Sequence, residues 1–142
     1  FERLRGEAAS AGVAELLETP GPVPHAEVPR TMDRFDVLVV PSHTTKTWKE
    51  QFGRVITEAF SVGVPVVGSD SGSIPEVIGD AGIVFKEKDK EQLASVLNQL
   101  MYHPERLPEM SEKGRERVEK NYTWKRVAEI SRDIYHRVVE RD

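Results

Sequence analysis

The chain has 142 residues, of which 38% are hydrophobic and 31% are charged, and its formal net charge is −4. This balance is typical of one globular domain, and it argues against a nucleic-acid binder held by phosphate contacts. The absence of cysteine excludes disulfides, thiolate zinc sites and cysteine nucleophiles, and the four scattered histidines have no metal-ligand spacing.

The first forty residues predict short helices, a stiff segment and one strand. We expect a helix over residues 1–14 and a helical turn over residues 28–34. Between them, three prolines within residues 20–24 exclude both helix and interior strand. Val37–Val40 is apolar at every position and stops at Pro41, which indicates a strand buried on both faces of a parallel sheet.

A helix and a second strand are predicted next. Residues 53–62 carry the i, i+3, i+4 stripe of an amphipathic helix. The stripe consists of Ile56, Ala59 and Phe60. Gly63 would end this helix, and Val64–Val67 would form the next strand. Strand, helix and strand in this order predict a right-handed βαβ unit.

The rest of the chain predicts one more strand and then helices. Ser73 and Glu76 have the spacing of a capping box before a very short helix, and Gly82–Phe85 would be the last strand. We expect Asp89 to cap a helix and Pro108 to start the next one. The apolar stripe predicted for the Asp89 helix comprises Leu93, Val96, Leu97, Leu100 and Met101.

The last helix is expected to be capped by Thr123 and to face the core. Its predicted inward side chains are Val127, Ile134, Tyr135 and Val138. About three strands are fewer than the ~5–6 of a complete doubly wound sheet. The chain also opens at Phe1 in the manner of a helix interior. We therefore expect residues 1–142 to be one domain of a longer protein, with its first strands missing.

Two glutamates and their neighbours form the most informative pattern. Glu50 and Glu58 are separated by seven residues, and they lie between Pro41-Ser42 and the run Gly63–Val67. A further string, Ser69–Gly82, follows in order. Over roughly residues 21–124 this pattern resembles the C-terminal, donor-binding domain of GT-B glycosyltransferases of the retaining family 4 type. The fold implied is a partial Rossmann-like parallel sheet flanked by helices, with a helical C-terminus.

The physics of the pattern supports a nucleotide site. In an open α/β sheet, ligands bind outside the carboxyl ends of the strands. The helix after Gly53 would begin at that edge, so its free amides could bind a diphosphate, and a residue without Cβ allows close approach. Glu58 would lie about 7–8 Å along the helix axis, where its carboxylate could accept both hydroxyls of a ribose.

The resemblance assigns roles to particular residues. It implies that Glu50 is the catalytic residue that binds the donor-sugar hydroxyls, and that Glu58 binds the ribose. The amides near Phe52 and Gly53 would meet phosphate or sugar. No metal ion or other cofactor is implied beyond the nucleotide diphosphate sugar itself.

Four further residues each keep two interpretations. Val23 and Pro24 fall where family members place the nucleobase, and a simple linker is an equal alternative. Gly72 would either form a turn or let backbone amides approach the donor sugar. Trp48 would either contact the acceptor or anchor its loop, and we favour the anchor.

The implied reaction is sugar transfer to a hydroxyl acceptor with retention of configuration. The glycine-rich loop and basic pair usual upstream in the family have no match here. A glycan, lipid or small-molecule acceptor would bind a missing N-terminal domain, so the isolated chain should be inactive. No transmembrane segment or secretory signal is evident, which favours the cytoplasm or the inner membrane surface.

Two other functions remain open at this point. A nucleotide-sugar epimerase would share the architecture, but it needs an acid–base pair for proton abstraction, and no convincing pair is present. A non-catalytic interaction module would bind a nucleotide or a protein without chemistry. The ordered string around Glu50 and Glu58 argues against the second function for the intact protein.

Overall fold

The computed structural model describes residues 1–140 and has a three-stranded parallel sheet with helices on both faces. The strands are β1 (Leu38–Val40), β2 (Val66–Ser69) and β3 (Ile83–Phe85). They lie in the order β1-β2-β3, with Val39 beside Val67 and Val67 beside Ile83. The predicted α/β class, with a partial Rossmann-like sheet, is confirmed.

Seven α-helices lie within residues 1–140. They are α1 (Glu2–Ser10), α2 (Val28–Met32), α3 (Arg54–Val62), α4 (Ile74–Ile78), α5 (Lys90–Tyr102), α6 (Arg106–Asn121) and α7 (Trp124–Val139). Helices α3 and α4 provide the two crossovers between the strands, and α5 to α7 form the predicted helical C-terminus. Within the described part of the chain, none of these helices is both long and apolar enough to cross a membrane.

The core has one layer on each face of the sheet. Ile56, Ala59 and Phe60 are completely buried, which confirms the predicted stripe of α3. Helix α6 packs closely on α3, because Gly114 lies against the ring of Phe60 and a Cβ there would overlap it. On the opposite face, Val67 packs with side chains of β3, α5 and α6.

Several element boundaries differ from the predictions by one to four residues: the first helix ends at Ser10 rather than at residue 14, and prolines explain two of the other differences. The second strand is Val66–Ser69 rather than Val64–Val67, because Pro65 has no N–H to donate; its carbonyl accepts from Leu38 N at 2.8 Å. Helix α6 begins at Arg106 rather than Pro108, since proline is tolerated within the first turn of a helix.

The capping predictions are confirmed twice and fail once. Asp89 accepts from Gln92 N at 2.9 Å and Thr123 accepts from Arg126 N at 3.2 Å, as expected for N-caps. Ser73 occupies the N-cap position of α4 but makes no side-chain cap bond. Its amide, which Glu76 would bind in a capping box, donates instead to the carbonyl of Glu50 at 3.1 Å.

The prediction that α7 faces the core is wrong. None of its residues within the described chain is buried. The four side chains expected inside, Val127, Ile134, Tyr135 and Val138, are between 44% and 72% exposed. Met101 of α5 is also exposed, at 64%. The apolar period of α7 is real, but a period specifies a face and not the surface that covers it.

Candidate functional site

The loops that leave the three strands meet at the carboxyl edge of the sheet. We call residues 41–53, which connect β1 to α3, the rim loop. Near its start, Ser69 Oγ donates to the carbonyl of Ser42 at 2.7 Å. Near its end, the Glu50 carbonyl accepts from Ser73 N at 3.1 Å. The rim loop is therefore fastened at both ends to the segment that leaves the central strand.

The carboxylate of Glu50 lies at the start of α3. Its Oε1 accepts from Gly53 N at 3.1 Å and from Gln51 N at 3.2 Å, with Phe52 N at 3.5 Å. The amides expected to meet a phosphate thus converge on one point, which the side chain of Glu50 occupies. The positive end of the α3 dipole favours any anion there. An anionic ligand would compete with Glu50 for these amides.

Two glycines make this arrangement possible. Gly53 N-caps α3 with a φ of +70°. Gly72 has a φ of +62°, and a Cβ on it would overlap the carbonyl oxygen of Glu50. Gly72 therefore forms a turn against which the backbone of Glu50 packs closely, and an approach of nearby amides to a donor sugar stays a prediction.

Glu58 is the fifth residue of α3 and lies about 7.5 Å along the helix axis from Gly53. Its side chain is 31% exposed, and Oε1 lies 3.4 Å from Arg54 Nη2. An ion pair this accessible contributes little, so the carboxylate can exchange it for ribose hydroxyls at small cost. The structure therefore places Glu58 on the helix that begins beside Glu50.

Val23 and Pro24 lie on a separate segment. Val23 is half-buried and Pro24 is exposed, with extended dihedrals of −55° and 139° at Pro24. The segment leads through the 3₁₀ turn His25–Glu27 into α2, which packs against α3. Their role beside a nucleobase stays a prediction.

The two aromatic side chains of the rim loop have different surroundings. The ring of Phe52 packs edge-on against Tyr122, which ends α6, with centroids 5.6 Å apart. Trp48 is 49% exposed, so the expectation that it anchors the loop is wrong. It sits in a closed turn, where Thr45 N donates to the Trp48 carbonyl at 2.8 Å. Trp48 therefore faces solvent beside the site.

Basic side chains at the tip of the rim loop add positive charge. His43, Lys46 and Lys49 are exposed, and within residues 1–140 none of the three forms an ion pair. They are therefore available to a diphosphate that approaches from solvent.

Sequence reasoning missed a polar cluster beneath the rim loop. Glu87 follows β3, and its Oε2 accepts from Thr44 N at 3.0 Å. Thr44 Oγ1 in turn lies 2.9 Å from the hydroxyl of the buried Ser71. The hydrogen bond from the Thr44 amide holds the pKa of Glu87 below its ordinary value. No local motif marks Glu87, and only the strand order brings it to the rim loop.

Comparison with known proteins points to one family. The family model described as glycosyl transferases group 1 matches residues 1–117. Among curated proteins, the chain is 26% identical over 136 residues to the MMP alpha-(1->4)-mannosyltransferase of Mycolicibacterium hassiacum, covering 94% of this chain and 32% of that protein. The chain spans about a third of the length of the curated relatives it matches.

Solved structures share the fold. The C-terminal domain of a glycosyl transferase group 1 family protein from Francisella tularensis is 25% identical, with a TM-score of 0.75, and the match covers 87% of this chain and 62% of that one. The Anabaena protein HepE, solved in complex with UDP-glucose, is 21% identical with a TM-score of 0.77 over 98% of this chain and 36% of its own.

Proposed function

Because the chain belongs to the group 1 glycosyl transferases and has the fold of a GT-B C-terminal domain, we propose that it forms the donor site of a retaining glycosyltransferase. The donor would be a nucleotide diphosphate sugar, and the acceptor a hydroxyl group of a glycan, lipid or small molecule. The observation that carries the proposal is the convergence of Glu50 with the amides of residues 51–53 at the start of α3.

Donor binding would exchange partners at this point. The β-phosphate takes over the amides at the start of α3, because a diphosphate carries more charge than one carboxylate and meets the same dipole. The Glu50 carboxylate is then released to accept hydrogen bonds from the sugar hydroxyls. Glu58 binds the ribose further along the helix, and Val23 with Pro24 covers the base.

Catalysis in this arrangement comes from positioning and charge stabilisation. The leaving diphosphate gains negative charge as the glycosidic bond breaks, and preorganised amides stabilise that charge without reorganising. Lys46 and Lys49, exposed on the rim loop, add to the positive potential. No covalent attachment to the protein and no metal ion is required by this scheme.

The known relatives support a nucleotide sugar as the donor. HepE is solved in complex with UDP-glucose, and a relative in Mycolicibacterium smegmatis is named a GDP-mannose-dependent mannosyltransferase. Both names specify a nucleotide diphosphate sugar, although the bases differ. For this chain, we assign the donor by chemical class and leave the base to experiment.

Substitution of the two acids tests the assignment. In the intact protein, Glu50→Ala and Glu58→Ala should each lower kcat/KM for the donor by about ten- to hundredfold, the loss expected for hydrogen bonds to a charged group. Steady-state assays with UDP- and GDP-sugars measure this. Glu119→Ala, at an exposed acid on α6, is the matched control and should stay within about twofold of wild type. Wild-type turnover by both variants would refute the assignment.

A further inference from the structure

The carboxylate of Glu87 reaches from one side of the sheet edge to the other. Glu87 follows β3, yet its Oε2 accepts from the amide of Thr44, which follows β1, at 3.0 Å. The central strand contributes Ser71, whose hydroxyl lies 2.9 Å from Thr44 Oγ1 and is 1% exposed. Glu87, Thr44 and Ser71 together thereby join the exits of all three strands.

Glu87 is itself held in place by backbone contacts. Its amide donates to Asp70 Oδ1 at 2.6 Å, and the Asp70 amide donates to the Phe85 carbonyl at 2.8 Å. The next residue, Lys88, has a φ of +67°, the one positive φ outside glycine within residues 1–140. A lysine keeps such a strained conformation only where surrounding contacts impose it. The turn therefore presents the carboxylate in a fixed direction.

The rim loop is consequently attached on both sides of an exposed tip. Thr44 is fixed by Glu87, and the Glu50 carbonyl is fixed by Ser73 N. Between these points, Thr45 to Lys49 are exposed. Glu87 is the contact that fixes the Thr44 amide next to the exposed tip. Its loss would leave this side of the loop held only through the Ser42 carbonyl and the Thr44 hydroxyl, so the position of Glu50 and of the amides after it would be less tightly determined.

We propose that Glu87 is a positioning residue of the donor site, which holds the rim loop so that Glu50 and the amides of Phe52 and Gly53 meet the diphosphate and sugar of a nucleotide sugar. This inference rests on the proposed function above. It adds a residue outside the pattern of Glu50 and Glu58, and one that acts through Thr44 rather than by touching the donor.

A positioning role of Glu87 can be distinguished from a general loss of structure by comparing two affinities, one for a nucleotide sugar and one for the matching nucleoside monophosphate. The monophosphate has the base and ribose but lacks the β-phosphate and the sugar. We would titrate the intact protein with UDP-glucose and UMP, and with GDP-mannose and GMP, by isothermal titration calorimetry. Glu87→Ala should weaken the nucleotide sugar about tenfold, the effect of ~1.4 kcal/mol, and leave the monophosphate unchanged.

Two further variants refine the comparison. Glu87→Gln should keep most of the affinity, because its amide oxygen can still accept from Thr44 N. Glu91→Ala is the matched control, since Glu91 is an exposed acid four residues along in α5. It should bind both ligands as the wild type does.

Trp48 offers an independent readout of the loop. Residues 1–142 contain two tryptophans, and the other, Trp124, is 88% exposed, so Trp124→Phe leaves Trp48 as the only tryptophan of this domain at little cost. In that background, Glu87→Ala should change the emission of Trp48 without any ligand. Glu91→Ala should not change it.

The outcomes distinguish the inference from the function it rests on. If wild-type protein binds no nucleotide sugar, with ADP-glucose titrated beside the UDP and GDP donors, the proposed function fails and the inference falls with it. If wild type binds one of them and Glu87→Ala binds it equally well, only the inference is wrong. Equal weakening of nucleotide sugar and monophosphate would also overturn it, because that result indicates general damage.

Discussion

At the scale of single residues, Glu50 contributes two different groups to the site. Its carboxylate accepts from the amides at the start of α3, and its carbonyl accepts from Ser73 N. A side-chain substitution removes only the first contact, so the backbone conformation of the rim loop should be kept in Glu50→Ala. The second contact depends on Gly72, because its lack of a Cβ admits the Glu50 carbonyl.

Gly72→Ala should therefore destabilise the protein more than the same change at an open glycine. Gly12 has a φ of +70° and open space within 4 Å of where a Cβ would stand, so alanine there costs only the backbone term of about 1–2 kcal/mol. Alanine at Gly72 has the same backbone cost and must also displace Glu50, which should lower the free energy of unfolding by a further ~1–3 kcal/mol. Urea unfolding of both variants measures the difference, and equal losses would mean that the close approach is unimportant.

The carboxyl of Glu87 should give the protein a measurable sensitivity to acid. The hydrogen bond from Thr44 N lowers its folded pKa, so its stabilisation is complete above the ordinary carboxyl pKa. That stabilisation is lost as the pH falls through the lowered value. Glu87→Gln should consequently lose less stability than wild type between about pH 6 and pH 3 in urea unfolding. Parallel pH profiles would contradict the role of this charge.

Sequence reasoning reached the residues that belong to a local pattern and missed those that do not. Glu50, Gly53 and Glu58 lie within nine residues, and a helix start relates them. Glu87 has no such neighbour and joins the site only through the sheet. The contact between Glu50 and its own following amides was also missed, because spacing does not reveal which way a loop carboxylate turns.

At the scale of elements, α6 stabilises the crossover helices through two arginines. Arg117 Nε donates to the Val77 carbonyl in the last turn of α4 at 2.7 Å. Arg115 Nη2 donates to the Val62 carbonyl at the end of α3 at 3.2 Å. Carbonyls at helix ends lack partners within the helix, so these guanidinium groups serve as C-terminal caps. Sequence periodicity does not predict such caps, since they come from a distant helix.

Arg117→Met should lower the free energy of unfolding by about 1–3 kcal/mol, because the part-buried Val77 carbonyl at the end of α4 loses its charged hydrogen-bond donor. Arg115→Met removes an exposed bond and should cost only about 0.5 kcal/mol. Thermal unfolding of the two variants provides the comparison. A loss at Arg115 equal to that at Arg117 would show that capping of α4 is not the cause.

For the molecule as a whole, the sequence predicts the sheet and the helix packed on it better than it predicts which helix faces are exposed. Three parallel strands in chain order and a buried α3 follow from apolar runs and one helical stripe. The exposed apolar side of α7 shows the limit, because Ile134 and Tyr135 belong to the predicted helical stripe yet are 51% and 72% exposed. The period of a helix carries no information about its neighbour.

In the proposed site, the amides at the start of α3 and the acids Glu50 and Glu58 bind one nucleotide sugar together. Backbone NMR of the isotope-labelled protein during titration with UDP-glucose, GDP-mannose and the free nucleosides tests this most directly. We expect the amide signals of Gln51, Phe52 and Gly53 to shift with a nucleotide sugar and to stay unchanged with its nucleoside. Nucleotide-sugar shifts confined to α7, with these three amides unmoved, would contradict it.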